Sequence, residues 1–187
     1  MMSQPLFIAF VVFGAVMAFT PGPNNIMVLS SGLTYGFRRS LPHIAGIAIG
    51  VSLMVASVGI GLGAIFIAYL VYLAGVIAMS GAVTAGQDNQ RGPMTFWAAV
   101  LFQWVNVKGW VMAIGLITAY STIAGFPWNI AIQAALMFVM GALSSMTWAL
   151  FGSWLRSFLT SPVAVRVFNV LMAGLLLASL YPVFMDA

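Results

Sequence analysis

This sequence has very few charged residues. Only 4% of its 187 residues are charged, whereas 63% are hydrophobic, and the mean hydropathy is +1.12. A water-soluble domain carries about 25% charged residues, so this chain cannot cover a surface that faces water. The scarcity of charge excludes a soluble globular protein and predicts one all-α membrane domain over residues 1–187.

Cysteine is absent, which excludes disulfides, thiolate metal sites and cysteine nucleophiles. The chain has one histidine and two acidic residues, Asp88 in a loop and Asp186 near the end. These residues cannot build the metal site or nucleophile–base pair of an intramembrane enzyme. The basic residues are too scattered to form a phosphate-binding stripe. We therefore expect no catalysis, no cofactor, no metal and no nucleic-acid partner.

Long apolar runs are abundant, by contrast. A bilayer core of about 30 Å requires about 20 apolar residues per helix. Six such segments are predicted: Leu6–Tyr35, two between 44 and 80, Met94–Tyr120, Trp128–Trp154 and Val167–Val183. Turns are predicted at Gly36–Ser40 and near Gly59–Gly63. Because residues 44–80 form only about 55 Å of helix, the second and third spans are expected to be short, tilted or partly re-entrant.

The arginines fall on one side of this arrangement. Loops one, three and five hold all of them: Arg38, Arg39, Arg91, Arg156 and Arg166. The positive-inside rule then places both termini away from the cytoplasm, in the plasma (inner) membrane. Three spans, a polar loop at 81–93 and three further spans form two inverted three-helix repeats, at about 5–80 and about 94–187, a layout found in transporters.

Helix-breaking or polar residues interrupt the first segment of each half. In the first half they are Pro21, Gly22, Pro23, Asn24 and Asn25, and in the second Asn106, Lys108 and Gly109. A continuous helix over Leu6–Tyr35 would be about 45 Å long, which exceeds the apolar thickness of the bilayer. The sequence therefore predicts a broken or re-entrant helix at the start of each half.

Proline determines the geometry of the first break. Pro21 and Pro23 lack a backbone N–H and clash with carbonyls one turn earlier, which frees carbonyl groups around Met17 and Phe19. Pro23 also suits the first position of a new helix, whose N–H groups and positive dipole end attract an anion such as a carboxylate. The alternative is a proline kink that only shapes the bundle.

Lys108 is the only lysine and the only ionisable residue far from a predicted loop. Lysines at this depth usually face a pathway or a partner, although snorkelling to the interface is the alternative. Lys108 is thus a candidate both for binding a carboxylate and for carrying a proton. His43 is the second proton-coupling candidate, or else an interfacial histidine. Trp104 and Trp110 are either interface anchors or pocket walls.

The stretches TPGPNN, GFRRSLPHIAGIAIG and FQWVNVKGW resemble the LysE/RhtB family of amino-acid exporters, over nearly the whole chain. Pro-Asn-Asn together with Asn-Val-Lys is most similar to the cysteine/O-acetylserine branch of that family. The resemblance implies a proton-driven plasma-membrane carrier with its substrate site at Pro21–Asn25, Asn106 and Lys108. The region after the second span is shorter than the family pattern.

Two functions remain open at this point. The first is a secondary exporter of small amino acids, in which a cationic substrate is disfavoured because the membrane segments hold no acidic residue. The second is a shortened, non-transporting relative, in which small residues such as Gly141 and Ser144 serve only helix packing. The expected partners are the lipid bilayer and a small amino acid, and self-association into a homo-oligomer stays open.

Overall fold

The computed structural model describes residues 4–62, 92–157 and the positions 163, 166, 167 and 170. All regular structure in these residues is helical. In chain order the helices are α1 (Gln4–Phe19), α2 (Pro23–Tyr35), α3 (Phe37–Gly59), α4 (Phe96–Gln103), α5 (Val107–Ala119) and α6 (Trp128–Leu155), with a 3-10 turn at Ser121–Ile123. The predicted third span, most of the loop at 81–93 and most of the sixth span lie outside the described residues.

Two helices, α3 and α6, are each long and apolar enough to cross a membrane. Two further candidates are bent pairs: α1 and α2 meet at 54°, and α4 and α5 meet at 62°. The described residues thus contain two to four candidate spans. The prediction of an all-helical membrane protein is confirmed for the described residues, and the segments Leu6–Tyr35 and Met94–Tyr120 are each broken.

The corner between α2 and α3 is tighter than predicted. Gly36 has a φ of 83°, a conformation that glycine adopts without steric cost, and it reverses the chain within one residue. The predicted turn at Gly36–Ser40 is therefore wrong beyond Gly36, because Phe37–Ser40 form the first turn of α3. The second span is not short either, since α3 has 23 residues and is about 35 Å long.

Helix α6 is the element against which α2 and α3 pack. Helix α3 runs antiparallel along the first half of α6, where Ser52 Oγ donates to the carbonyl of Ala134 at 2.9 Å and Gly59 lies against Ile130. The fully buried side chains of the core include those of Phe10, Met54, Leu116 and Met137. This packing fixes the middle of α6 beside the two breaks.

Paired glycines bring α2 onto the second half of α6. A Cβ on Gly32 would lie 2.2 Å from the carbonyl oxygen of Ala149, and a Cβ on Gly152 would lie 2.1 Å from that of Leu29. Ser153 Oγ donates to the Gly32 carbonyl at 3.1 Å. The two backbones therefore touch, as small residues allow at helix contacts in membranes.

The two broken spans run in opposite directions. Lys108, at the start of α5, bonds to Thr20 just after α1, whereas Tyr120, just after α5, donates to the carbonyl of Ala9 within α1 at 3.2 Å. Helices α1 and α5 are thus antiparallel neighbours. The break that follows α1 and the break that precedes α5 consequently lie side by side.

Candidate functional site

A pocket lies where the two breaks meet. Its walls come from both broken spans and from the middle of α3 and α6, and the space open to the centre of a water molecule is about 40 Å³. The polar residues that line it are Asn24, Asn25, Asn106, Lys108, Ser144 and Ser145. The apolar lining includes Met17, Val51, Met112 and Met137. A mixed lining of this kind suits a small molecule with a polar end and an apolar end.

Lys108 reaches across this pocket to the end of α1. Its Nζ donates to the carbonyl of Thr20 at 2.6 Å and to that of Pro21 at 3.4 Å. The lysine stem lies on Gly22, where a Cβ would come within 2.8 Å of Lys108 Cδ and 3.1 Å of Nζ. The side chain therefore points into the first break, and its partners in the described residues are main-chain carbonyls rather than a carboxylate.

Side chains also satisfy the other carbonyls at the end of α1. Asn25 Nδ2 donates to the carbonyls of Ala18 and Thr20 at 2.8 and 2.9 Å. Ser144 Oγ donates to the Ala18 carbonyl at 2.7 Å. The Ala18 carbonyl lies within the region around Met17 and Phe19 where freed carbonyls are expected, and the Thr20 carbonyl lies just beyond it. Ser144, named in the sequence only for packing, contributes a hydrogen bond as well.

Gln103 joins the two breaks and was not singled out from the sequence. Its side chain is fully buried. It accepts a hydrogen bond from Asn24 Nδ2 at 2.7 Å and returns one to Asn24 Oδ1 at 3.0 Å. Its Nε2 also donates to the carbonyl of Ala99 at 2.9 Å. A glutamine inside an apolar helix, immediately before a break, was the signal that could have identified it.

The second break lies slightly earlier than predicted. It spans Trp104, Val105 and Asn106, so Lys108 and Gly109 belong to the first turn of α5. Trp110 is 4% exposed, and its Nε1 donates to the Trp104 carbonyl at 3.0 Å. Neither tryptophan lines the pocket, so of the two alternatives left open for them, pocket walls does not apply to this pocket. Instead, Trp110 holds a carbonyl that the break releases from the helix.

Asn106 presents an unpaired acceptor. The residue is 4% exposed and lines the pocket, yet its Oδ1 has no hydrogen-bond partner among the described residues. The side chain does not cap α5. A buried acceptor without a partner costs about 1–3 kcal/mol and requires an explanation. An N–H or O–H donor inside the pocket would provide one.

Two helix N-termini face the same space. The first intrahelical N–H bond of α2 is that of Ile26, to Gly22, and the first of α5 is that of Trp110, to Asn106. The N–H groups of the preceding residues therefore have no partner within their own helix. Each N-terminus carries the positive end of a helix dipole, so both favour a negatively charged group at the pocket.

The chain is similar to curated efflux proteins. The cysteine/O-acetylserine efflux proteins of Escherichia coli (strain K12) and Shigella sonnei (strain Ss046) are each 34% identical to it over 170 residues, which cover 81% of this chain and 84% of the relative. The chain belongs to the LysE/RhtB family of amino-acid exporters. No family model and no solved structure matches it.

Most residues predicted as the site of this LysE/RhtB protein are brought together. Gly22, Pro23, Asn24, Asn25, Asn106 and Lys108 all line the pocket. Pro21 does not line it, but its carbonyl accepts a hydrogen bond from Lys108. The motif residues of the two breaks therefore lie together at this one pocket.

His43 lies apart from them. It is 1% exposed, so it is not an interfacial histidine exposed to water or headgroups. Its Nδ1 lies 2.9 Å from Ser31 Oγ, which ties α3 to α2. His43 does not line the pocket, so it does not contact a molecule bound there.

Proposed function

We propose that this LysE/RhtB protein is a secondary transporter that exports small neutral amino acids or their derivatives across the plasma membrane. Its curated relatives are named cysteine/O-acetylserine efflux proteins. The observation that carries the proposal is the convergence, on one pocket, of two helix N-termini and the chain's only lysine. Transporters place binding sites at broken helices in this way.

The positively charged side of the pocket suits the carboxylate of an amino acid. Backbone N–H groups at the starts of α2 and α5 and the ammonium of Lys108 all attract an anion. Charge-assisted hydrogen bonds of this kind are roughly twice as strong as neutral ones. We assign the carboxylate to this set of donors.

Acceptors for the substrate's ammonium group lie beside these donors. They are Asn106 Oδ1, which has no partner in the described residues, and the carbonyls at the end of α1. The sequence contains only two acidic residues, neither in a predicted span, so no carboxylate is available to neutralise a second positive charge. A neutral amino acid is therefore the proposed substrate, and a cationic one is disfavoured.

The proposed architecture is one domain with two inverted repeats, at about 5–80 and about 94–187. The antiparallel course of α1 and α5 supports it. Arg38 and Arg39 lie in the first turn of α3, and Arg156 follows the last residue of α6. Because α3 and α6 are antiparallel, these arginines lie at the same end of the bundle, which supports a cytoplasmic location for that end. Both termini would then face away from the cytoplasm.

We further propose that export is coupled to protons, with Lys108 and His43 as the candidate carriers. Lys108 is half-buried in the pocket and His43 is buried between α2 and α3. Both groups can exchange protons, and the membrane segments offer no acidic residue for this purpose.

The test is transport by purified protein in liposomes. Efflux of labelled cysteine, O-acetylserine, serine and lysine would be followed under an imposed pH gradient. Wild type would be compared with Lys108→Ala and with Arg156→Ala, which removes a positive charge outside the pocket. Flux of a neutral amino acid that is lost only in Lys108→Ala supports the proposal. Unchanged flux in Lys108→Ala removes this residue from the site, and no flux from folded, inserted protein favours a non-transporting relative.

A further inference from the structure

The ammonium group of Lys108 occupies acceptors that match the ammonium group of an amino acid. Nζ lies 2.6 Å from the Thr20 carbonyl oxygen and 3.4 Å from that of Pro21. Both carbonyls follow the C-terminal end of α1, where the helix dipole is negative. The structure therefore already holds a primary ammonium group at the edge of the pocket, supplied by the protein itself.

We propose that Lys108 is an internal surrogate for the substrate's ammonium group and that binding is an exchange of partners. The substrate's ammonium takes over the carbonyls of Thr20 and Pro21, and Lys108 turns to the substrate's carboxylate. This inference rests on the proposed export function. It makes the substrate site specific to a zwitterion, which carries both an ammonium group and a carboxylate.

The exchange keeps every charged group paired. In this structure, the described residues around Lys108 offer it carbonyl oxygens and no carboxylate. An amino acid brings one positive and one negative group, so both new pairs form as the old one is lost. A step that left a half-buried charge without a partner would instead be strongly unfavourable.

Substrate selection follows from the same reasoning. An amine without a carboxylate could displace Lys108 from the carbonyls but would leave its ammonium unpaired. An acid without an amine could attract Lys108, but it would leave the Pro21 carbonyl without a side-chain donor and the Thr20 carbonyl with Asn25 alone. Either analogue forms only half of the exchange, so neither should bind as well as the amino acid.

Gly22 is the residue that allows Lys108 to take this position. A Cβ there would come within 2.8 Å of Lys108 Cδ, and the flexible lysine is the part that would move. The backbone of Gly22 is extended, with φ −173° and ψ 179°, so alanine introduces no backbone strain. Gly22→Ala should therefore displace the Lys108 ammonium group from its position without removing its positive charge. Gly115→Ala is the matched control, because its Cβ would meet only Phe13, at 3.9 Å.

The first test compares three ligands that share one thiol side chain: cysteine, cysteamine (no carboxylate) and 3-mercaptopropionate (no amine). Competition with labelled cysteine would be measured in proteoliposomes kept reduced. Wild type should prefer cysteine to each analogue by about tenfold or more, the effect of one charged hydrogen bond. Lys108→Met should lose affinity for cysteine by about tenfold and gain affinity for cysteamine, because the bonds that Lys108 makes to the carbonyls of Thr20 and Pro21 are then open to another ammonium group. Loss of cysteine binding without a gain for cysteamine would overturn the exchange.

The second test observes Lys108 directly and does not depend on transport. Because the chain has one lysine, protein labelled with ¹⁵N at lysine Nζ gives one side-chain signal. Cysteine should shift this signal and 3-mercaptopropionate should shift it less. Gly22→Ala should shift it without ligand, and Gly115→Ala should not. A signal that moves without any flux supports the exchange and refutes export, whereas flux with an unmoved signal supports export and refutes the exchange.

Discussion

Asn24 and Gln103 exchange two hydrogen bonds, of 2.7 and 3.0 Å, between the two breaks. Asn24 lies in the first turn of α2 and Gln103 is the last residue of α4. The pair thus joins the start of one half-helix to the end of another. Two amides that satisfy each other in an apolar environment hold the two broken spans in a fixed register without introducing charge.

Removing Asn24 leaves the buried Gln103 with only its bond to the Ala99 carbonyl, and removing Gln103 leaves the half-buried Asn24 without this partner. We expect Asn24→Ala and Gln103→Ala each to lower the free energy of unfolding by about 1–3 kcal/mol. The double variant should lose less than the sum, because no orphan amide then remains. Unfolding in detergent measures these values, with Thr147→Ala, an exposed hydroxyl that bonds only within its own helix, as the control. Additive losses would show that the pair is not coupled.

The first break could be predicted from the sequence because proline acts locally. Pro23 cannot donate a backbone hydrogen bond, so a helix that begins there loses nothing, and α2 does begin there. The second break contains no proline. Its position at 104–106 depends on the packing of Trp110 and on the Asn24–Gln103 pair, which are contacts between distant parts of the chain, and the sequence placed it at Asn106 to Gly109.

The partner of Lys108 could not be predicted for a related reason. Sequence reasoning looks for an acidic counter-ion, and the chain has none in its predicted spans. The carbonyls of Thr20 and Pro21 are invisible in a sequence because every residue has one. Only the antiparallel packing of α1 and α5 brings them to the lysine. The tight corner at Gly36 was missed because the arginines after it suggested a longer polar turn.

The contact between α2 and α6 depends on glycine. In Gly152→Ala the new Cβ would meet the backbone of Leu29 at 2.1 Å, and a backbone cannot move aside as a flexible side chain can. We expect a loss of about 3 kcal/mol in the free energy of unfolding. Gly125→Ala, with nothing within 4 Å, is the control. If both variants unfold alike, the helices are not in the close contact described.

Substitution of Asn106 tests whether this residue contributes to substrate binding or to the stability of the fold. Its Oδ1 has no partner in the described residues and its side chain does not cap α5. Asn106→Ala should therefore not lower the free energy of unfolding, because it removes an unpaired buried acceptor. Loss of one hydrogen bond to a charged donor should weaken substrate binding by about tenfold. Unfolding and cysteine competition, measured on the same preparation, decide between the roles. Destabilisation with unchanged affinity would contradict the assignment.

His43 offers a test of proton coupling that leaves the pocket intact. Because it bonds to Ser31 between α3 and α2 and does not line the pocket, His43→Asn should preserve exchange of labelled for unlabelled amino acid across the liposome membrane. Such exchange requires no net proton movement. Flux driven by a pH gradient should fall sharply, because asparagine can keep a polar contact with Ser31 but cannot carry a proton. Ser31→Ala is the control, since it removes the contact and retains the imidazole. If pH-driven flux persists in His43→Asn, His43 is not the proton carrier. Lys108 is then the remaining candidate, because a proton carrier must be a group that can gain and lose a proton within the membrane.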